Sequence, residues 1–128
     1  MWEKAQLLTV EIIRFTKALP ADRTTNVLVQ QIVRSATAIA ANIAEGHGRF
    51  AAGAYRNHLS IARGSVAETM SWLDTFRRLD LIDPHLEERI ITLGDEVMRM
   101  ISAKMIDLDK ETGKARAFRE ERASYDAT

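Results

Sequence analysis

The chain contains no cysteine, so disulfides and thiolate chemistry are excluded, and nothing in it points to an oxidising compartment. Only three histidines are present, His47, His58 and His85, too few for most metal or acid–base sites. Two prolines and six glycines leave little material for a β-rich chain with many tight turns. No stretch comes near the roughly 18 uninterrupted apolar residues of a membrane span. The start, "MWEKAQLL", lacks the apolar run of a signal peptide. These absences lead to the expectation of a cytoplasmic protein that does not enter a membrane.

What is present fits one globular domain of 128 residues, 46% hydrophobic and 28% charged. Formal net charge is zero, yet the charge is unevenly placed. Residues 14–78 hold nine basic and four acidic residues, a net of +5. Residues 80–111 hold four basic and nine acidic ones, a net of −5. A polarised surface, neutralisation between neighbouring helices and simple solvated faces all produce such a count.

Apolar spacing predicts four helices. Trp2, Ala5, Leu8, Ile12, Phe15 and Leu19 repeat at helical intervals until Pro20 stops the first. The second starts near Thr24 or Thr25, both good N-caps. Its stripe is Leu28, Ile32, Ser35, Ile39 and Ile43, and Gly46 is the natural residue just past its end. The third runs from about Ala52 to Leu79, with Tyr55, Leu59, Ala62, Val66, Met70 and Leu73 inward. The fourth opens at Asp83-Pro84, an N-cap followed by proline at the first helical position. Leu86, Ile90, Leu93, Val97, Ile101 and Leu108 form its stripe. The short connections predict an all-α, antiparallel up-down-up-down four-helix bundle over residues 1–111. Residues 112–128, "TGKARAFREERASYDAT", read as a charged tail, frayed or mobile, with Phe118 and Tyr125 as its only large apolar side chains.

The bundle shows no catalytic pattern. A di-metal core needs two Glu-x-x-His pairs, and no Glu lies three residues before a His. Ser60, Ser65 and Ser71 have no His and Asp at a readable spacing. "GHGRF" follows no strand and precedes no Lys-Ser/Thr, so it is neither a phosphate loop nor a dinucleotide fingerprint. A tight helix–helix turn needing positive φ explains its glycines better. The expectation is a non-enzyme with no cofactor and no metal.

Two surfaces stand out instead. The outer side of the second helix carries Arg34, Ala38, Ala41 and Glu45, mostly small residues where a solvated face would carry more Lys and Glu. Ile61, Ser65, Glu68 and Trp72 form a side stripe on the third. Arg34, Asn42, Glu45, Ser65, Glu68 and Trp72 are therefore candidates for a subunit interface. The competing reading of Glu45 is an ordinary i,i+4 pair with Arg49. Arg49, Arg56, Arg63, Arg77 and Arg78 are candidates for phosphate contact, a modest footprint that repetition around a homo-oligomeric ring would strengthen. The partners this suggests are copies of the chain itself and RNA or DNA. No helix-turn-helix, zinc-finger or sheet-platform signature accompanies them.

The runs "QQIVRSATAIAANIAEGHGRF" and "YRNHLSIARGSVAETMSWLD" carry a resemblance. Through Arg34, Asn42 to Gly46, Arg49, Leu59 to Ser65 and Glu68, the chain resembles the bacterial four-helix-bundle protein family. That family is also called S23 ribosomal protein, or the protein encoded by intervening sequences in large-subunit ribosomal RNA genes. The resemblance covers about residues 5–110 and implies an antiparallel bundle, a barrel-like homopentamer and no catalytic activity. A related branch is the accessory variability determinant of diversity-generating retroelements, which implies RNA and a reverse transcriptase as partners. The chain departs from the family pattern at Tyr55, His58 and Thr69, where phenylalanine or leucine is usual. The alternative to an RNA scaffold is a protein-interaction adaptor, such as an accessory subunit of a reverse transcriptase.

Overall fold

The computed structural model describes residues 1–126, all but the short connections being helical. The helices are α1 (Trp2–Lys17), α2 (Arg23–His47), α3 (Ala52–Arg78) and α4 (Pro84–Asp126). Each packs against its neighbour in the chain, and α1 closes the ring against α4.

The order of contacts reports how the helices run. Between α2 and α3, Arg34 meets Glu68, Ser35 meets Thr69 and Asn42 meets His58. Between α3 and α4, Arg56 meets Asp109, Arg63 meets Ser102 and Arg77 meets Glu87. Between α1 and α4, Lys4 meets Glu96 and Glu11 meets Arg89. From Arg34–Glu68 to Asn42–His58, from Arg56–Asp109 to Arg77–Glu87 and from Lys4–Glu96 to Glu11–Arg89, the residue numbers rise on one helix as they fall on the other.

The caps follow from local chemistry. Asp22, extended at φ −127° and ψ 167°, caps α2, and its Oδ1 accepts from the Thr25 N–H at 2.8 Å. The Thr25 hydroxyl donates to Oδ2 at 3.0 Å. The expected caps, Thr24 and Thr25, thus lie inside the helix, because a carboxylate one turn earlier accepts from both the backbone and the hydroxyl. Asp83 caps α4 as expected, with Oδ2 accepting from the N–H groups of His85 and Leu86 at 3.1 and 3.2 Å. At the end of α3 the N–H of Leu81 reaches the Phe76 carbonyl at 2.9 Å and that of Asp80 reaches Arg77 at 3.0 Å. This is a Schellman closure, and Asp80, at φ 56°, takes the left-handed position that glycine usually fills.

Gly46 differs from expectation. It lies within α2, which runs on to His47 before Gly48 caps it at φ −76°, and no glycine among the described residues has positive φ. Its role is close approach: a Cβ there would stand 2.8 Å from both His58 Cβ and Tyr55 Cδ2. The absent side chain lets the end of α2 lie against the start of α3.

The core contains Leu8, Ile12, Ile39, Leu59, Val97 and Ile101, all at 0% exposure. Phe15 and Phe76 meet edge to face, centroids 5.2 Å apart at 85°. Trp2, expected in the α1 stripe, is 47% exposed, whereas Phe76, outside the predicted stripe, is fully buried. The buried hydroxyls have partners. Thr9 lies 3.0 Å from the carbonyls of Ala5 and Ala36, and the hydroxyls of Thr69 and Ser35 are 2.8 Å apart. By length and composition α2 is apolar enough to cross a membrane. Here its stripe from Ile32 to Ile43 faces the core.

No break marks residue 111: α4 continues through Asp126, and every described residue after Leu108 is exposed. Ala, Lys, Arg and Glu are strong helix formers, and Arg116 pairs with Glu120 at 3.0 Å at i,i+4.

Candidate subunit and nucleic-acid surfaces

The outer face of α2 is built by the 3.6-residue period. Val27, Arg34, Ala38, Ala41 and Glu45 fall within about 60° of one another, opposite the buried Ile32, Ile39 and Ile43. The charged residues at its ends are held within the chain. Arg34 Nη2 donates to Glu68 Oε2 at 2.7 Å and to Gln31 Oε1 at 3.1 Å. Glu45 Oε1 accepts from Arg49 at 3.2 Å, and its Oε2 lies 3.9 Å from His58 Nδ1. The i,i+4 pair weighed as the ordinary reading of Glu45 is therefore present.

The six interface candidates fall into two groups. Arg34 and Glu68 meet midway along the α2–α3 seam, with Trp72 one turn beyond Glu68 on the same helix. The Trp72 Nε1–H is buried with no acceptor among the described residues. Ser65 lies one turn before Thr69, and its carbonyl accepts from the Thr69 hydroxyl at 2.7 Å. Asn42 and Glu45 meet nearer the end of α2, joined by His58, which sequence reasoning had not included. Asn42 Nδ2 donates to the Ala38 carbonyl at 2.8 Å, and its Oδ1 faces His58 Nδ1 at 3.4 Å. Only the distance between helices reveals that histidine; no spacing in the sequence does. Beside these groups Val27 and Ile61 are 54% and 47% exposed.

The phosphate-contact candidates are ordered by a different period. Arg56, Arg63 and Arg77 recur at multiples of seven residues, with Met70 at the intervening place, so they share one edge of α3 facing α4. Arg56 Nε reaches Asp109 at 2.6 Å, Arg63 Nε reaches the Ser102 hydroxyl at 3.1 Å, and Arg77 Nε lies 3.6 Å from Glu87. Arg77 and Arg78 both hold Asp74, the latter at 2.7 Å. Hydrogen bonds from Arg78 and then Arg77 hold the Asp74 carboxyl below its ordinary range. Arg49 stands apart at the α2–α3 connection, next to the fully exposed Phe50. Four of the five arginines thus meet a carboxylate of their own chain, and Arg63 meets a neutral hydroxyl.

Among the described residues no three His, Asp or Glu side chains converge as a metal site requires. A surface groove between α1 and α4 is lined by Glu11, His85, Glu88 and Arg89, and the Glu11–Arg89 pair at 3.6 Å spans it.

Helices linked in a ring and lined with charged seams define a class: an all-helical protein of four helices. The chain belongs to the 23S rRNA-intervening sequence protein family, whose model matches residues 1–103. It is also similar to a crystal structure, at 1.70 Å resolution, of a protein of unknown function from the S23 ribosomal protein family of Bacteroides thetaiotaomicron VPI-5482. The two are 28% identical with a TM-score of 0.76, over 81% of this chain and 96% of that one. No curated protein matches the chain.

Proposed function

We propose that this chain is an antiparallel up-down-up-down bundle acting as a non-catalytic homo-oligomeric scaffold, a pentamer by family resemblance, that associates with RNA in the cytoplasm. Arg34, Asn42, Glu45, Ser65, Glu68 and Trp72 form its subunit interface. Arg49, Arg56, Arg63, Arg77 and Arg78 are its phosphate contacts. The opposite running of contacts along α2–α3, α3–α4 and α1–α4 supports the bundle topology. The observation that carries the assembly reading is the outer face of α2, small at Ala38 and Ala41, apolar at Val27, with Val27 and Ala41 exposed and Ala38 half-buried. Small residues let a second backbone approach closely, and the flanking charged groups fix its register.

Sedimentation of the wild type and of Glu45→Ala tests this. The wild type runs as an oligomer, and the variant shifts to lighter species. An unchanged oligomer in the variant counts against the interface. RNA association is tested by gel shift across a salt series, where phosphate contacts to a single strand give a slope of roughly −0.7 per contact.

One observation favours a second reading. The carboxylate partners of Arg49, Arg56, Arg77 and Arg78 already neutralise most of the basic edge. A protein-interaction adaptor, such as an accessory subunit of a reverse transcriptase, has no need of free arginines. An absence of RNA binding even at low salt selects it.

A further inference from the structure

The helical end of α4 carries a surface that neither the family match nor the arginine edge of α3 includes. The family model ends at residue 103, and residues 114–126 lie beyond it. Ala115 and Arg119 still line a groove with Phe50, Ala52 and Gly53 at the α2–α3 connection, and the rest of the segment runs past it. Arg56 of α3 is level with Asp109, so Ala52, where α3 begins, is level with about residue 113. The thirteen residues that follow project about 20 Å as helix.

On this projection Lys114, Phe118, Arg122 and Tyr125 stand at intervals of four, four and three residues. A turn of 100° per residue places them within about 80° of one another. The two rings are 64% and 81% exposed. Neither Lys114 nor Arg122 makes an ion pair among the described residues. The opposite face holds the Arg116–Glu120 pair, which neutralises itself. The stripe therefore alternates cation, ring, cation, ring; Glu121 borders one edge, and Arg119, whose Nε donates to the Ala115 carbonyl at 3.4 Å, lies beyond the other.

We infer that the Lys114–Phe118–Arg122–Tyr125 stripe is a docking surface for single-stranded nucleic acid, in which unpaired bases stack on the rings and phosphates meet the cations. This rests on the reading of the chain as nucleic-acid-associated, and adds the class of nucleic acid and the element that selects it. A ring stacks on any base through its π-face, whereas paired bases in a duplex offer no free face. Charge complementarity chooses the occupant. Two cations alternating with two rings suit a strand with one negative charge per nucleotide. They repel the same stripe on a second copy. A membrane surface needs a broader apolar face, and Phe118 and Tyr125 are the only large apolar residues after residue 111.

The test is fluorescence anisotropy of the full chain with two labelled probes, an oligouridine and an RNA duplex of the same length. The wild type binds the oligouridine more tightly than the duplex. Phe118→Ala weakens oligouridine binding about tenfold, as loss of one stacked base requires, and leaves duplex binding unchanged. Phe118→Trp restores the preference. Lys114→Gln with Arg122→Gln weakens both probes and flattens the salt dependence. These positions are exposed, and a far-UV circular dichroism spectrum confirms that each variant keeps its helices. Equal oligouridine affinity in Phe118→Ala and wild type overturns the inference. Arg56→Gln with Arg63→Gln is the separate arm: it weakens both probes alike, and its failure to do so counts against the α3 edge alone. Binding to neither probe at low salt overturns both readings.

Discussion

Arg34 and Glu68 join α2 to α3 through a 2.7 Å ion pair on the flank where the sequence suggested bonds to a neighbouring subunit. Both side chains keep much of their exposure, 58% and 42%, so solvent and salt screen the pair and it adds only about 0–1 kcal/mol to folding. A pair so weak for folding is well placed to orient a face. Arg34→Ala therefore moves the unfolding free energy by less than about 1 kcal/mol in a urea titration while lowering the oligomer mass in sedimentation. Reduced fold stability with unchanged assembly would show that the pair serves the single chain only.

Gly46 and Gly94 look alike in the sequence, each a glycine inside a helix, and the structure separates them. An added Cβ at Gly46 meets His58 Cβ and the Tyr55 ring carbon Cδ2 at 2.8 Å and the Tyr55 carbonyl at 3.2 Å, so two of the three atoms are backbone or bonded directly to it. At Gly94 it meets Met70 Sδ at 2.7 Å, part of a flexible thioether chain. Alanine gains about 1 kcal/mol of helix propensity at either place. At Gly46 the overpacking cost of about 1–3 kcal/mol outweighs that gain, and α2 is pushed off α3. At Gly94 Met70 swings aside and the terms nearly cancel. Thermal unfolding should find Gly46→Ala clearly less stable than wild type and Gly94→Ala close to it. Equal midpoints for the two variants would remove the close-approach explanation.

This contrast shows how far the sequence could be read. The period of Ile32, Ser35, Ile39 and Ile43 places α2 and its buried side, because helical periodicity is a local property. The proline and the acidic cap at Asp83 place the start of α4 in the same way. Gly46 reads as a turn residue in the sequence because its constraint comes from Tyr55 and His58 on another helix. The arginines of α3 are legible as one edge, and Asp74 beside Arg77 and Arg78 is a local partner, but Asp109, the partner of Arg56, lies far along the chain on α4. Phe76 was lost among Arg77, Arg78 and Asp74, yet it fills the core against Phe15. The end of α4 looked like a tail because it has little to bury; helix propensity and one i,i+4 pair keep it helical.

The cap of α2 makes stability depend on pH. Hydrogen bonds from the Thr25 N–H, then from its hydroxyl, lower the Asp22 pKa below its ordinary 3.8. A carboxyl with a depressed folded-state pKa contributes stability that is fully present above the unfolded value. That contribution is lost as pH falls through the folded value. Asp22→Ala should therefore unfold at a lower temperature than wild type from neutral pH down to about 4, with a constant gap. Below that the gap should narrow as the wild-type carboxyl takes up its proton. Measuring the difference between the two proteins cancels other acids, Asp74 and Glu96 included, whose pKa values are lowered by their own basic partners. A gap that stays constant into strong acid would mean that the charge of Asp22 does not matter to the cap.

Asp74 decides between the two functional readings. It holds both Arg77 and Arg78 at the end of α3, and those two hydrogen bonds keep it ionised. A phosphate approaching either arginine must displace this carboxylate, which repels it. Asp74→Asn keeps the size of the side chain, removes the negative charge, frees Arg78 and leaves Arg77 only its 3.6 Å contact with Glu87. If the arginine edge contacts RNA, the variant should bind a single strand several-fold more tightly at low salt. Its salt dependence should steepen by up to roughly 0.7 for each phosphate gained. The pairs it breaks are exposed, so the unfolding midpoint should scarcely move. An unchanged RNA affinity, with folding intact, would mean that phosphates do not come to this end of α3. The paired arginines would then be lateral ties between α3 and α4, as a protein-binding adaptor requires.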